Sequence, residues 1–112
     1  MEKKIAIPLE SGKVCLHFGH CEVFAIVTID NFKIISDERI IPPSHEPGVY
    51  PKWLAEEGVT DVLASGIGQK AVSLFDKQGI CVHIGVEQKE VKDIVQDYLS
   101  NQLQMSGNAC NH

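Results

Sequence analysis

The chain has 112 residues, a net charge of −5, 44% hydrophobic and 22% charged residues, the composition of one globular domain with a core of its own. The acidic balance argues against a nucleic-acid backbone as partner, and no apolar run is long enough to cross a bilayer. The opening MEKKIAIPLE has no apolar h-region or small-residue cleavage site, so a cytoplasmic protein is expected, in which Cys15, Cys21, Cys81 and Cys110 are free thiols or ligands rather than a disulfide framework.

In chain order, KKIAIPL (3–9) reads as a strand and GKVCLHFGHC (12–21) as a loop. EVFAIVTID (22–30) alternates, with Val23, Ala25, Val27 and Ile29 on one face. Asn31-Phe32 is a tight link into a returning strand, KIISDERII (33–41), closed by Pro42-Pro43, because proline cannot continue a ladder. SHEPGVYPKW (44–53) is a loop entering a helix, with Pro51 suited to a first helical position, Trp53 and Leu54 facing the core and Gly58 as C-cap. TDVLAS (60–65) is a short buried strand. GIGQKAVSLFDKQ (66–78) opens on glycines and becomes a helix with Ala71, Leu74 and Phe75 on one stripe, ended by Gly79. ICVHIG (80–85) is the fifth strand. In QKEVKDIVQDYLSNQL (88–103), Val91, Ile94, Val95, Tyr98, Leu99 and Leu103 share one helical face. The order β-β-β-α-β-α-β-α predicts an α/β fold with a five-stranded mixed sheet flanked by three helices, the layout of ribonuclease H-like folds. Residues 1–103 form one domain and 104–112 a flexible tail ending Cys110-Asn111-His112.

The chemistry concentrates in the first loop. Cys15, His17, His20 and Cys21 are candidate metal ligands, since thiolate and imidazole suit zinc, iron and iron–sulfur chemistry. Their spacing matches no closed zinc pattern. The plain alternative makes Cys15 and Cys21 small buried hydrophobes. His45, in the loop after the third strand, falls at the same end of the sheet. SGIGQKA (65–71) is a strand-to-helix turn whose glycines expose backbone N–H groups, with Lys70 adding positive charge, a setting that suits anions. It lacks the third glycine of a dinucleotide fingerprint. His83, on a strand, reads as structural. A nuclease would need several acids on the central strands, and only Asp61 is offered. A Cys–His nucleophile built on Cys15 with His17 or His20 stays open as an alternative.

Taken together, Gly12-x-Val14-Cys15-x-His17-Phe18-Gly19-His20, Phe24, His45-x-x-Gly48, Leu54-x-x-x-Gly58-Val59, Gly66-Ile67-Gly68-x-x-Ala71 and Gly79-Ile80 resemble the dinitrogenase iron–molybdenum cofactor biosynthesis family, the NifX/NafY-like group whose domain also ends NifB. The resemblance runs from about residue 3 to residue 103. It implies a ribonuclease H-like fold and a non-catalytic carrier of the iron–molybdenum cofactor or an iron–sulfur precursor, working with cofactor-assembly proteins. It also implies His17 as principal ligand in a pocket formed with Phe18, Gly19, His45, Gly66, Ile67, Gly68 and Lys70. The chain departs from the pattern at Cys15, where serine is common, and Cys21, where alanine is common. The alternative functions are a small-anion or nucleotide-binding domain using SGIGQK and a Cys–His enzyme.

Overall fold

The computed structural model describes residues 2–16, 18, 21–43, 49–99 and 107–108. Its strands are β1 (Glu2–Glu10), β2 (Lys13–Val14), β3 (Val23–Asp30), β4 (Lys33–Ile40), β5 (Asp61–Leu63), β6 (Cys81–Ile84) and β7 (Gly107–Asn108), and its helices α1 (Val49–Glu56), α2 (Gln69–Lys77) and α3 (Val91–Leu99). The sheet runs β4-β3-β1-β5-β6-β7, with β2 paired to β1 off this path. β1 and β3 are antiparallel, as are β3 and β4, while β5 lies parallel to β1 and β6 parallel to β5. The expected mixed α/β architecture of five principal strands and three helices is therefore present, with two short strands added.

β1 is central and buried on both faces, as its unbroken apolar run Ile5–Leu9 requires. One face packs Ala6, Phe24, Ile26, Val62 and Val82 against Leu54, Val72 and Phe75 from α1 and α2. The other packs Ile5, Ile7, Ala25, Val27, Ile29 and Leu63 against Val91, Ile94 and Val95 of α3. The alternation of β3 thus distributes its side chains as its sequence predicts. β4 is an edge strand, and its exposed row is blunted by Asp37, Glu38 and Arg39, with an Asp37–Arg39 ion pair. A register shift at Thr28/Ile29, between the pairs Thr28↔Ser36 and Ile29↔Ile34, leaves Ile35 as an extra residue.

Several boundaries differ from the sequence reading for local reasons. Pro51 sits in the first turn of α1 rather than at its first residue, where its missing N–H is still unneeded. α2 buries Val72 with Phe75, while Ala71 and Leu74 are only half-buried, so the buried stripe is turned by one residue. α3 begins at Val91 because residues 88–90 serve another purpose: Lys89 and Glu90 strap the β2 segment, and the Glu90 carbonyl accepts the first helical N–H groups, from Asp93 and Ile94. Leu103 lies outside the described residues. Gly58 and Gly79 take φ of +83° and +76° after α1 and α2, the left-handed geometry of a helix stop. The segment 104–112, expected as a tail, contributes Gly107–Asn108 to the sheet through antiparallel pairing with β6. Cys81 on β6 is disulfide-bonded. The expectation of free thiols is corrected there, and holds for Cys15 and Cys21.

Candidate functional site: two loops joined at the end of the sheet

β1 and β5 run parallel, so the loops leaving their C-terminal ends emerge side by side. The loop after β1 is held at its base by four hydrogen bonds, three between backbone groups and one from a side chain. The Cys15 N–H donates to the Pro8 carbonyl (2.8 Å), Glu22 N–H to the Leu9 carbonyl (2.8 Å), and Val14 N–H to the Lys89 carbonyl (3.2 Å). The Gln88 side-chain amide donates to the Val14 carbonyl (3.2 Å). Further along, the Phe18 N–H donates to the Gly66 carbonyl at 2.8 Å. That bond ties the first loop directly to the glycine turn opening α2, which the sequence reading could place only at the same edge.

Phe18 is also the aromatic anchor of the loop. It is 6% exposed and meets Phe24, Tyr50 and Phe75 edge-on, with centroid separations of 5.8, 5.7 and 5.5 Å. Edge-to-face rings in this range attract through their quadrupoles. The ring therefore fills the α1/α2 core and fixes where the loop crosses it.

Behind Phe18 lies a small thiol–phenol group. Cys15 is 1% exposed, and Cys21 is half-buried and packed against the same core. The Tyr50 hydroxyl donates to the Cys21 sulfur. Burial pushes the Cys21 thiol up to about 11, only partly offset by that hydrogen bond, and pushes the Tyr50 phenol up to about 12 with help from the neighbouring thiols. Both groups are protonated at neutral pH. Of Cys15 and Cys21, both expected as metal ligands, Cys15 is packed out of solvent, and at Cys21 the raised pKa disfavours a thiolate. Tyr50 was missed from sequence, where SHEPGVYPKW drew attention to its histidine.

On the opposing turn, Gly66 supplies the carbonyl for Phe18 and Ile67 packs on the core. Gly68 is the N-cap of α2, in extended backbone with no side-chain cap, and the first turn of the helix holds no acid. A Cβ at Gly68 would meet nothing within 4 Å. The turn is thus open, and Lys70 stands exposed in the first turn of the helix behind it. His17, Gly19, His20 and His45 lie outside the described residues. Among the described residues, no group of three or more histidine, cysteine or acidic side chains is placed to hold a metal ion, and no helix is long and apolar enough to cross a membrane.

A family model described as "Dinitrogenase iron-molybdenum cofactor" matches residues 1–101. The chain belongs to this family. The uncharacterised protein MJ0580 of Methanocaldococcus jannaschii is 35% identical, over 71% of this chain and 72% of that one. Among solved structures, the crystal structure of PH0822 superposes with a TM-score of 0.86 at 29% identity, covering 92% of this chain and 96% of that one. The apo form of the orange protein from Desulfovibrio gigas superposes at 0.74 with 27% identity, covering 94% and 93%. Family membership confirms the resemblance read from the HFG and GIG blocks.

The sequence reading missed a second polar group on the α3 face. His83 Nε2 lies 3.0 Å from Asp61 Oδ2, and Thr60 Oγ1 donates to Asp61 Oδ1 at 2.6 Å. Burial, the largest influence, raises the Asp61 carboxyl, but the His83 and Thr60 hydrogen bonds and the Lys3 charge together hold it below the ordinary value. His83 is thus structural, as expected, and its partner is Asp61.

Proposed function

We propose that this protein is a non-catalytic holder of an anionic metal–sulfur cluster, of the iron–molybdenum cofactor or iron–sulfur precursor type, in dinitrogenase-related cofactor assembly. The observation that carries the reading is the Phe18 N–H to Gly66 carbonyl bond. It ties Phe18 of the first loop to the glycine turn at the C-terminal mouth of the sheet, where open α/β folds bind ligands. The mixed sheet, with β3 antiparallel to β1 and β4, and β5 and β6 parallel to β1, supports this reading because it matches the ribonuclease H-like layout expected of such a carrier.

In this reading His17 is the principal ligand, flanked by His20 and His45. The uncapped N-terminus of α2 and Lys70 favour the cluster's negative charge. Phe18 positions the loop from within the core rather than touching cargo. Cys15 is a buried packing group, and Cys21 sits behind the loop as a protonated thiol, since ligation there needs a proton to leave a half-buried sulfur. Few ligands, on a loop anchored at its base and at Phe18, suit a cluster that must later be passed to an acceptor. A four-cysteine cage holds its iron through every site.

The test is an anaerobic titration of the purified protein with a preformed iron–sulfur cluster, followed by desalting, visible absorbance and metal analysis. The wild type is expected to retain colour, and His17→Ala to lose it while keeping its fold. Absence of retained cluster in the wild type overturns the carrier reading. Binding of a metal-free anion that depends on Lys70 and ignores His17 would instead favour a small-anion domain.

A further inference from the structure

The opposite end of the sheet carries a second cleft. It lies between the β3–β4 turn and the last turn of α3, has a volume of about 290 Å³, and is walled by Lys3, Ile29, Asn31, Phe32, Tyr98 and Leu99. Lys3 and Ile29 are direct neighbours across β1 and β3. The loop pair begins beyond Leu9, six residues further along β1, a separation of about 20 Å at strand rise. The two places are therefore independent.

Two observations mark this cleft. The first is Phe32. Asn31 and Phe32 take φ of +54° and +65°, the left-handed pair that a two-residue type I′ hairpin turn needs. Asparagine suits its position. The next is normally glycine, and a bulky side chain there is strained. Yet the Phe32 ring is 80% exposed, so no core packing offsets the strain. Strain retained without a packing return points to a use for the side chain.

The second is Lys3. Its ammonium donates to the Tyr98 hydroxyl at 3.3 Å and lies 5.9 Å from the Tyr98 ring centroid. Among the described residues it has no carboxylate within ion-pair distance. Asp61 attracts it from behind, but the Asp61 oxygens are already bonded by Thr60 and His83. One cation therefore stands in a cleft otherwise walled by Ile29, Leu99 and two aromatic rings, with the Asn31 amide as a second polar group.

We propose that this cleft binds a small aromatic carboxylate, its carboxylate on the Lys3 ammonium and its ring against Phe32. The charge complement comes from Lys3 and the apolar complement from Phe32, Ile29 and Leu99. The volume is at the low end for ligand pockets, which limits the ligand to one or two rings.

The probe is 1-naphthoate, with the neutral 1-naphthalenemethanol as control, titrated into the whole protein and followed by calorimetry and by backbone amide shifts at Lys3, Phe32 and Tyr98. Saturable one-site binding of the carboxylate is expected, with the alcohol weaker by about tenfold or more, since hydrogen bonds to charged groups are the stronger class. Lys3→Met is expected to weaken the carboxylate by a similar factor, and Lys3→Arg to retain it. Phe32→Gly is expected to lose binding while raising the melting temperature, so the loss cannot be laid to unfolding. His17→Ala binds as the wild type, which separates this outcome from the fate of the cluster site. The proposal is overturned by unsaturable binding, by equal affinity for the alcohol, by wild-type affinity in Phe32→Gly, or by a Phe32→Gly variant less stable than its parent.

Discussion

Replacing Phe18 with alanine separates the two jobs the structure gives this residue. Deleting a buried phenylalanine ring from a core that cannot collapse costs about 3–5 kcal/mol. That figure already contains the edge contacts to Phe24, Tyr50 and Phe75, so they are not added again. Here the lower end applies. The loop is pinned on either side of Phe18 by the Cys15–Pro8 and Glu22–Leu9 backbone bonds, and its middle can shift into the space left by the ring. A loss of about 3 kcal/mol, against a total stability of roughly 5–15 kcal/mol for a domain of this kind, leaves the variant folded. With a urea slope of about 1–3 kcal/mol per molar, the unfolding midpoint falls by about 1–3 M. Urea titration followed by circular dichroism measures that shift, and amide hydrogen exchange at position 18 reports the loss of the bond to Gly66. Cluster retention is expected to fall with it, because the loop is no longer held against the glycine turn. A destabilisation below about 1 kcal/mol with an unchanged slope would refute the anchor role, and with it the argument that packing rather than cargo positions the loop.

Two further outcomes follow from the buried polar groups. Asp61 has its carboxyl held below the ordinary value of 3.8 in the fold, so the unfolded chain takes up its proton first. The stability it contributes is complete above that value and lost as pH falls below it through the lower pKa of the folded state, and Asp61→Asn, weaker by about 1–3 kcal/mol at pH 7, is expected to lack that acid limb in urea titrations run from pH 7 to pH 2.5. For Cys21, whose thiol is pushed up to about 11, iodoacetamide labelling read at its peptide by mass spectrometry is expected to be slow at pH 8 and to accelerate towards pH 11. Tyr50→Phe removes the hydrogen bond that favours the thiolate and moves that acceleration to higher pH, whereas an unchanged profile would show the bond to be without effect.

What the sequence exposes is what depends on neighbours along the chain. The β3–β4 hairpin is legible because alternation over 22–30, two turn residues and the Pro42-Pro43 stop all act locally. The helix ends at Gly58 and Gly79 are legible for the same reason. What it hides depends on register between distant segments. Asp61 and His83 are 22 residues apart and meet only because β5 and β6 pair in parallel with Leu63 opposite His83. The Gln88–Glu90 strap looks helical in periodicity, but tertiary pairing with the β2 segment overrides that preference. Tyr50 looks like part of a helix start, and only packing against Phe18 and Cys21 gives it a place behind the site. The family blocks were legible because each is a short contiguous motif. The bond that joins two of them was not.

If the protein is the carrier proposed above, the way the loop is anchored bears on how it would work. In a zinc finger the metal supplies the folding energy, so losing the metal unfolds the domain. Here the base of the loop is fixed by hydrogen bonds to β1, and to the strap before α3, and its middle by an aromatic ring in the α1/α2 core. None of these contacts involves a ligand atom. On the carrier reading proposed above, cargo would arrive and leave without breaking these anchoring contacts. On the same reading, the cluster would gain only its direct bonds and the field of the α2 N-terminus, which limits how tightly it is held. Both properties would serve the proposed transfer to an acceptor, and both would come from Phe18 and its neighbours rather than from the histidines proposed as ligands.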